Sequence, residues 1–330
     1  MKKILIIQTA FLGDTILATG LLEKLHQHYP QAKIDFLLRK GNEGIFHQHP
    51  FLNQIKIWHK KKLKYWNWFK LFIDIRKEEY DIVINIQRYI ATGLWTAFSG
   101  AKHRIGFANN PLHFFFTHAP KHSVCNGKHE IEKNIELISH LTNSEVVKPK
   151  LYPSFNYWET LSLQKIAYVC IAPNSVWFTK QLPEKKWLEC IENIPENYKI
   201  FLIGSPEDHQ NCLNIKKNVK NPDRVFNLAG KLSLLESAAL MAKAKMNFTN
   251  DSGPLHLASA MNAPISAVFC STTLAYGFGP ISENQRILET KEVLDCRPCG
   301  PHGWQKCPKK HFKCALTIDF KQLNEEKTLV

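Results

Sequence analysis

The segment Asn250-Asp251-Ser252-Gly253-Pro254-Leu255-His256 gathers residue types that can grip an anion. It lies between an apolar run at 246–249 and a helix-like run at 255–261, which predicts a strand-to-helix turn. Asp251 or Ser252 can cap the helix, Gly253 permits close backbone approach, and Pro254 suits a first helical position. The N–H groups of such a turn and the positive end of the helix dipole favour phosphate oxygens. His256 adds a donor one turn in. On its own the turn reads as an ordinary capped helix. A second turn upstream shifts that balance.

The second turn spans 172–180 and follows an apolar strand at 167–171. Ser175 and Thr179 offer hydroxyls, Lys180 a point charge and Trp177 a flat apolar face. Hydroxyls and a lysine after a strand can hold a pyrophosphate, although Lys180 alone reads as a solvated surface lysine. Together the two turns point to a nucleoside-diphosphate site at the carboxyl ends of strands. A third feature is Asp14, in Thr9-Ala10-Phe11-Leu12-Gly13-Asp14-Thr15 after the first strand. One glycine there makes neither a Walker A loop nor a GxGxxG turn. Asp14 reads as a helix N-cap or as a general base, ionised at neutral pH by its place at a helix start.

The elements needed to position these groups alternate along the chain. Strands are expected at 3–8, 33–38, 81–85 and 104–106, with helices at 15–28, 63–77 and 89–99. Residues 152–164 break the rhythm as a connector. Strands resume at 167–171, 199–203, 225–227, 246–249 and 265–269. This alternation predicts an α/β protein of two similar units, with a cleft between them. Its 330 residues and 44% hydrophobic content suffice for two cores. No apolar run reaches membrane-spanning length, and the apolar stretch at 4–7 is too short for a signal peptide. Nine cysteines, several in strands, point to a reducing cytoplasm.

Net charge is +14, and residues 1–155 carry 22 basic against 12 acidic side chains. Such a surface attracts acidic partners. Lys60, Lys61, Lys62, Lys64 and Lys70 interleave with Trp66, Trp68, Phe69 and Phe72, and no acidic residue occurs from 57 to 73. As a helix this stretch suits an acidic, lipid-linked acceptor or an anionic bilayer surface; alternatively its aromatics face the core. The tail carries Cys296-x2-Cys299-x7-Cys307-x6-Cys314, a candidate structural zinc site or a set of packed thiols. His302 and His311 are substitute ligands, and Lys306, Lys309 and Lys310 favour thiolates.

The stretches KKILIIQTAFLGDTILATGLLEKL, YDIVINIQ, AKHRIGF, SVWFTK and NDSGPLHLASAMNAP, in that order, resemble glycosyltransferase family 9, the heptosyltransferases of lipopolysaccharide core assembly. The resemblance implies a GT-B fold, two Rossmann-like domains facing each other across a cleft. It assigns acceptor binding to residues 1–155 and nucleotide-sugar binding to 165–330. Asp14 matches the family's base, Ser175 and Lys180 its diphosphate loop, and Asp251, Ser252, Gly253 and His256 its second phosphate turn. Glu207 matches the residue at the donor ribose, with Asp208 as competitor. Leu182 departs from the tryptophan usual before the loop proline. Ser271-Thr272-Thr273 replaces a frequent Gly-Pro-Thr.

The implied reaction is inverting heptosyl transfer from an ADP-sugar donor to an acidic lipid-linked glycan, at the inner face of the cytoplasmic membrane. Catalysis then requires no cofactor, because Lys180, His256 and the helix start neutralise the departing ADP. Two rivals are a zinc-bearing basic nucleic-acid-binding protein and a degenerate glycosyltransferase that binds without turnover. No nucleic-acid motif is present, so nucleic acid is not an expected partner. A dehydrogenase lacks its glycine fingerprint.

Overall fold

The computed structural model describes residues 1–61, 63–123, 126–154 and 166–320. The chain divides into two compact units, Met1–Tyr152 and Pro153–Val330. Most of the connector expected at 152–164 lies outside the described residues.

The first unit contains strands β1 (Lys3–Gln8), β2 (Lys33–Arg39), β3 (Leu52–Trp58), β4 (Ile82–Asn85) and β5 (His103–Gly106). All neighbours pair in parallel, in the order β3-β2-β1-β4-β5. Central β1, KILIIQ, is buried from Ile4 onward, as a parallel strand covered on both faces must be. Its Leu5 and Ile7 join Leu37, Val83, Trp58 and Trp95 in one core. The helix expected at 15–28 is two, α1 (Leu12–Leu17) and α2 (Thr19–His28), joined through helical Ala18. Thr19 Oγ1 donates back to Ile16 O at 2.8 Å, a side-chain bond that bends helices. Gly20 then lets the Val147 carbonyl approach, where a Cβ would stand 2.7 Å from it.

Helix α3 (Lys64–Lys77) divides its aromatics by helical period. Trp68, Leu71, Phe72 and Ile75 pack inward, and Trp68 Nε1 donates to Ala91 O at 2.8 Å. Tyr65, Trp66, Phe69 and Ile73 are exposed, at 82%, 67%, 49% and 37%. Burial of the aromatics therefore holds for only one face. The unit is completed by α4 (Ile90–Ala97) and α5 (Glu130–Glu136).

The second unit contains β6 (Tyr168–Ala172), β7 (Lys199–Leu202), β8 (Val225–Asn227), β9 (Met246–Asn250), β10 (Ile265–Phe269) and β11 (Gln285–Glu289). Its sheet is also parallel, ordered β11-β10-β9-β6-β7-β8. Helices α6 (Glu184–Glu192), α7 (His209–Asn218), α8 (Leu234–Lys243), α9 (Gly253–Ala260) and short α10 (Lys313–Leu316) accompany it. Strand order reverses between β6 and β9, and in the first unit between β1 and β4. Loops diverge at such switch points and leave a crevice at the strands' carboxyl ends. The segments after β1, β6 and β9 carry Asp14, the Ser175–Lys180 turn and the Asp251–His256 turn. Among the described residues, no helix is long and apolar enough to cross a membrane.

Candidate active site

In the second unit, β6 and β9 lie side by side with Ala172 opposite Thr249, so their following loops meet. Asn250, fully buried at the end of β9, fastens them. Its Nδ2 donates to Pro173 O at 2.8 Å, and its Oδ1 accepts Leu182 N–H at 3.0 Å. Phe178–Lys180 forms a single 3-10 turn inside this brace. Lys180 Nζ reaches Asp251 Oδ2 at 2.7 Å, with both side chains largely buried. Thr272 Oγ1 donates to the same carboxylate oxygen at 2.7 Å.

These bonds fix the part Asp251 can play. A carboxylate repels phosphate, and this one is taken up in holding Lys180. Lys180 has three donors, and pairing with Asp251 uses one. The other two can meet further acceptors. Ser252 is the N-cap of α9, but its side chain makes no cap hydrogen bond. The capping side chain expected there is therefore absent, and the first-turn N–H groups of α9 receive no acceptor from it. Gly253 and Pro254 open the helix, and His256 is buried in its first turn. The helix dipole adds to the field of Lys180 at this end.

Ser175 sits half-buried in the loop after β6, where its carbonyl accepts the Gln181 amide. At the ribose position proposed from the sequence, the two candidate carboxylates sit differently. Asp208 Oδ2 accepts the backbone N–H and hydroxyl of Ser205 at 2.7 and 2.9 Å, closing the Pro206–Asp208 turn. Glu207 is exposed and remains the candidate. Gly230, at φ +77°, allows its loop to pass this turn, where a Cβ would come within 2.7 Å of Pro206 Cα.

In the first unit, Phe11 and not Asp14 is the N-cap of α1; Asp14 lies in the first turn, half-buried. The N-cap reading of Asp14 is thus corrected, because the chain turns three residues earlier. Buried amides surround this switch point. Gln87 donates to Gln8, Gln8 accepts Ala10 N–H at 3.1 Å, and Asn110 donates to Gln87 O at 2.9 Å. Lys60 Nζ donates to Thr9 O at 2.7 Å and stands over the Trp58 ring. Burial first, then the charges of Arg39 and Lys64, pulls its ammonium down to about 8. Lys61 and Lys64 are exposed, whereas Lys62 lies outside the described residues.

The four tail cysteines line one cavity of about 170 Å³, with His311, Thr179 and Ser271 also in its wall. All four are free thiols. Among the described residues, no three His, Cys, Asp or Glu groups are arranged to hold a metal ion. The tail also reaches the lysine turn. Thr179 Oγ1 accepts from Trp304 N–H at 2.8 Å and from Ser271 Oγ at 3.0 Å, and Thr179 N–H donates to Trp304 O at 3.0 Å.

Sequence reasoning missed the roles of Asn250, Thr272, Arg39 and Trp304. Arg39 ends β2, and its charge is one of those that lower the Lys60 ammonium. Thr272 and Trp304 carried no readable signal, because their partners come from distant parts of the chain.

Two doubly wound parallel units, neither bearing a dinucleotide glycine fingerprint, form the two-unit architecture of the GT-B glycosyltransferases. Comparison with known proteins agrees. The family model described as glycosyltransferase family 9 (heptosyltransferase) matches residues 68–302. Lipopolysaccharide heptosyltransferase 3 of Escherichia coli is 27% identical over 282 residues, covering 79% of this chain and 82% of that protein. A family 9 glycosyltransferase from Veillonella parvula superposes with a TM-score of 0.85 at 19% identity, covering 99% and 97% of the two chains. E. coli heptosyltransferase WaaC with ADP-2-deoxy-2-fluoro heptose gives a TM-score of 0.74 at 19% identity, covering 98% and 99%. The chain belongs to glycosyltransferase family 9.

Proposed function

We propose that this enzyme transfers a heptose, with inversion, from ADP-heptose to a lipopolysaccharide-core or related lipid-linked acidic glycan. The observation that carries the reading is the braced Lys180–Asp251–Thr272 set beside the start of α9. In this reading the remaining ammonium donors of Lys180 and the N–H groups at the start of α9 meet the diphosphate as it departs and gains charge. The heptosyltransferase names of the relative and of the neighbour solved with an ADP-heptose analogue support the donor.

In this reading, residues of the second unit hold the donor. Lys180, Ser175, Gly253, His256 and the N–H groups after Ser252 take the diphosphate, and Glu207 takes the ribose. Asp14 of the first unit removes the proton from the acceptor hydroxyl as its oxygen attacks the anomeric carbon. The sugar–phosphate bond breaks and ADP leaves with the electron pair. The sugar becomes oxocarbenium-like on the way, so the barrier depends on charge stabilisation at ADP. Lys60, Lys61 and Lys64 supply attraction for an acidic acceptor. The exposed Tyr65, Trp66, Phe69 and Ile73, flanked by lysines, suit contact with the inner, anionic face of the cytoplasmic membrane.

The test is transfer from ADP-heptose to a heptose-deficient core glycolipid, read by mass spectrometry, with UDP- and GDP-sugars as comparators. A mass gain of one heptose from the ADP donor alone is expected. Transfer from a UDP- or GDP-sugar instead would overturn the donor, and no transfer from any would favour a binding protein without turnover.

A further inference from the structure

We propose that Cys296, Cys299, Cys307 and Cys314 are the four ligands of a soft tetrahedral divalent cation, zinc or iron(II), and that its binding tightens the tail's hold on the Lys180 turn. Tetrahedral all-sulfur sites select these ions. Four of the chain's cysteines line one cavity, while Cys170, Cys190, Cys212 and Cys270 are buried free thiols outside its lining. The first pair has the spacing of a metal-binding turn. It is followed by Gly300 at φ +95°, a backbone that glycine takes without strain and that folds the chain back after Cys299. Cys307 opens a second turn, closed by Lys310 N–H donating to Cys307 O at 3.1 Å with Lys310 at φ +61°.

The surroundings fit thiolates. His311 Nδ1 accepts the Lys313 N–H at 3.1 Å, so the neutral ring carries its proton on Nε2. That nitrogen lies 3.7 Å from Cys296 Sγ. His311 is then a hydrogen-bond donor to a ligating sulfur and not a ligand, the usual outer partner of a metal site. Four thiolates on a divalent ion leave two negative charges, and Lys306, Lys309, Lys310 and Lys313 stand along the same stretch to offset them. Sulfurs about 2.3 Å from one centre stand about 3.8 Å apart. The thiols line the cavity without yet converging so closely, so they draw in as the ion binds, coupling metal to local order.

That order bears on the donor loop. Cys299 N–H donates to Ser271 O at 2.8 Å, and Trp304 Nε1 donates to Cys299 O at 2.7 Å. Trp304 and Ser271 both bond Thr179, the residue before Lys180. Gly303 lets the tail lie against the turn, since a Cβ there would meet Thr179 Oγ1 at 3.0 Å and Lys180 Cγ at 3.1 Å. The coupling to Lys180 rests on the proposed ADP site; the metal site does not.

The test takes the full chain, purified under reducing conditions without added metal. Elemental analysis is expected to find roughly one zinc or one iron per chain, which also distinguishes the two. After chelation, cobalt(II) should restore one site with thiolate-to-cobalt charge-transfer absorption, lost in Cys299→Ser and Cys307→Ser. Removing the ion should weaken ADP binding about fivefold or more, and ADP should tighten cobalt binding by the same factor. Four freely reactive thiols in the purified folded chain, with no metal and no thiolate spectrum on adding cobalt, would overturn the site. Equal ADP affinity with and without metal would overturn the coupling. Wild-type cobalt spectra read the site even if a serine variant fails to fold.

Discussion

The two switch points are built differently. At the second unit's, a cation and a carboxylate are locked 2.7 Å apart, and buried Asn250 ties the two loops that carry them. At the first unit's, neutral amides of Gln8, Gln87 and Asn110 form the floor, with a lysine whose charge is already weakened by burial at the rim. A diphosphate carries fixed charge, and a preorganised field stabilises it without reorganisation during reaction. A proton acceptor has a different task, to stand within hydrogen-bond reach of the hydroxyl it deprotonates. In the proposed division of labour, the braced end keeps ADP and the amide-lined end delivers the acceptor.

The sharpest way to separate the ends is to remove the base. Asp14→Asn should lower steady-state transfer by about 10³-fold while ADP affinity stays at the wild-type value. Turnover within a few-fold of wild type would remove Asp14 from the chemistry. On the other side, Lys180→Ala should lower kcat/KM by roughly 10²-fold and weaken ADP. Because it leaves Asp251 buried beside Thr272 alone, thermal unfolding should be recorded in parallel. A destabilised variant with intact ADP binding would make Lys180 purely structural.

Thr272→Val deletes one of the two donors to Asp251. Losing a hydrogen bond to a charged group costs about 1.5–3 kcal/mol, so ADP affinity should fall roughly tenfold if aiming Lys180 matters. Unchanged affinity would detach Asp251 from the donor site. The mildest effect concerns pH. The Lys60 ammonium is depressed to about 8, so its charge is present below that value and fades above it. For an acidic acceptor, kcat/KM should therefore drop a few-fold from pH 7 to 9, and Lys60→Met should flatten that limb. A limb that persists in the variant belongs to another group.

Much of this fold was legible because central parallel strands read as unbroken apolar runs, as in KILIIQ and YVCIA. The two strands not foreseen, β3 and β11, are both sheet edges. Their sequences, LNQIKIW and QRILE, are mixed in polarity because one side of each lies open. At the site, residue types were readable but pairings were not. Lys180 and Asp251 each looked like an anion contact, and only the adjacency of β6 and β9 turns one into the other's support. Asp14 reads from the sequence as lying at a helix start, yet its place within the first turn of α1, and not at the N-cap, depends on where the backbone bends after Ala10.

The most direct measurement is calorimetric titration of ADP, with UDP and GDP alongside, into the wild type, Lys180→Ala and Asp14→Asn. The prediction is preference for ADP, loss of about tenfold or more in affinity in Lys180→Ala, and wild-type affinity in Asp14→Asn. Equal binding of ADP by the wild type and Lys180→Ala, or loss of ADP binding in Asp14→Asn, would contradict the division between a donor-holding unit and a base-bearing one.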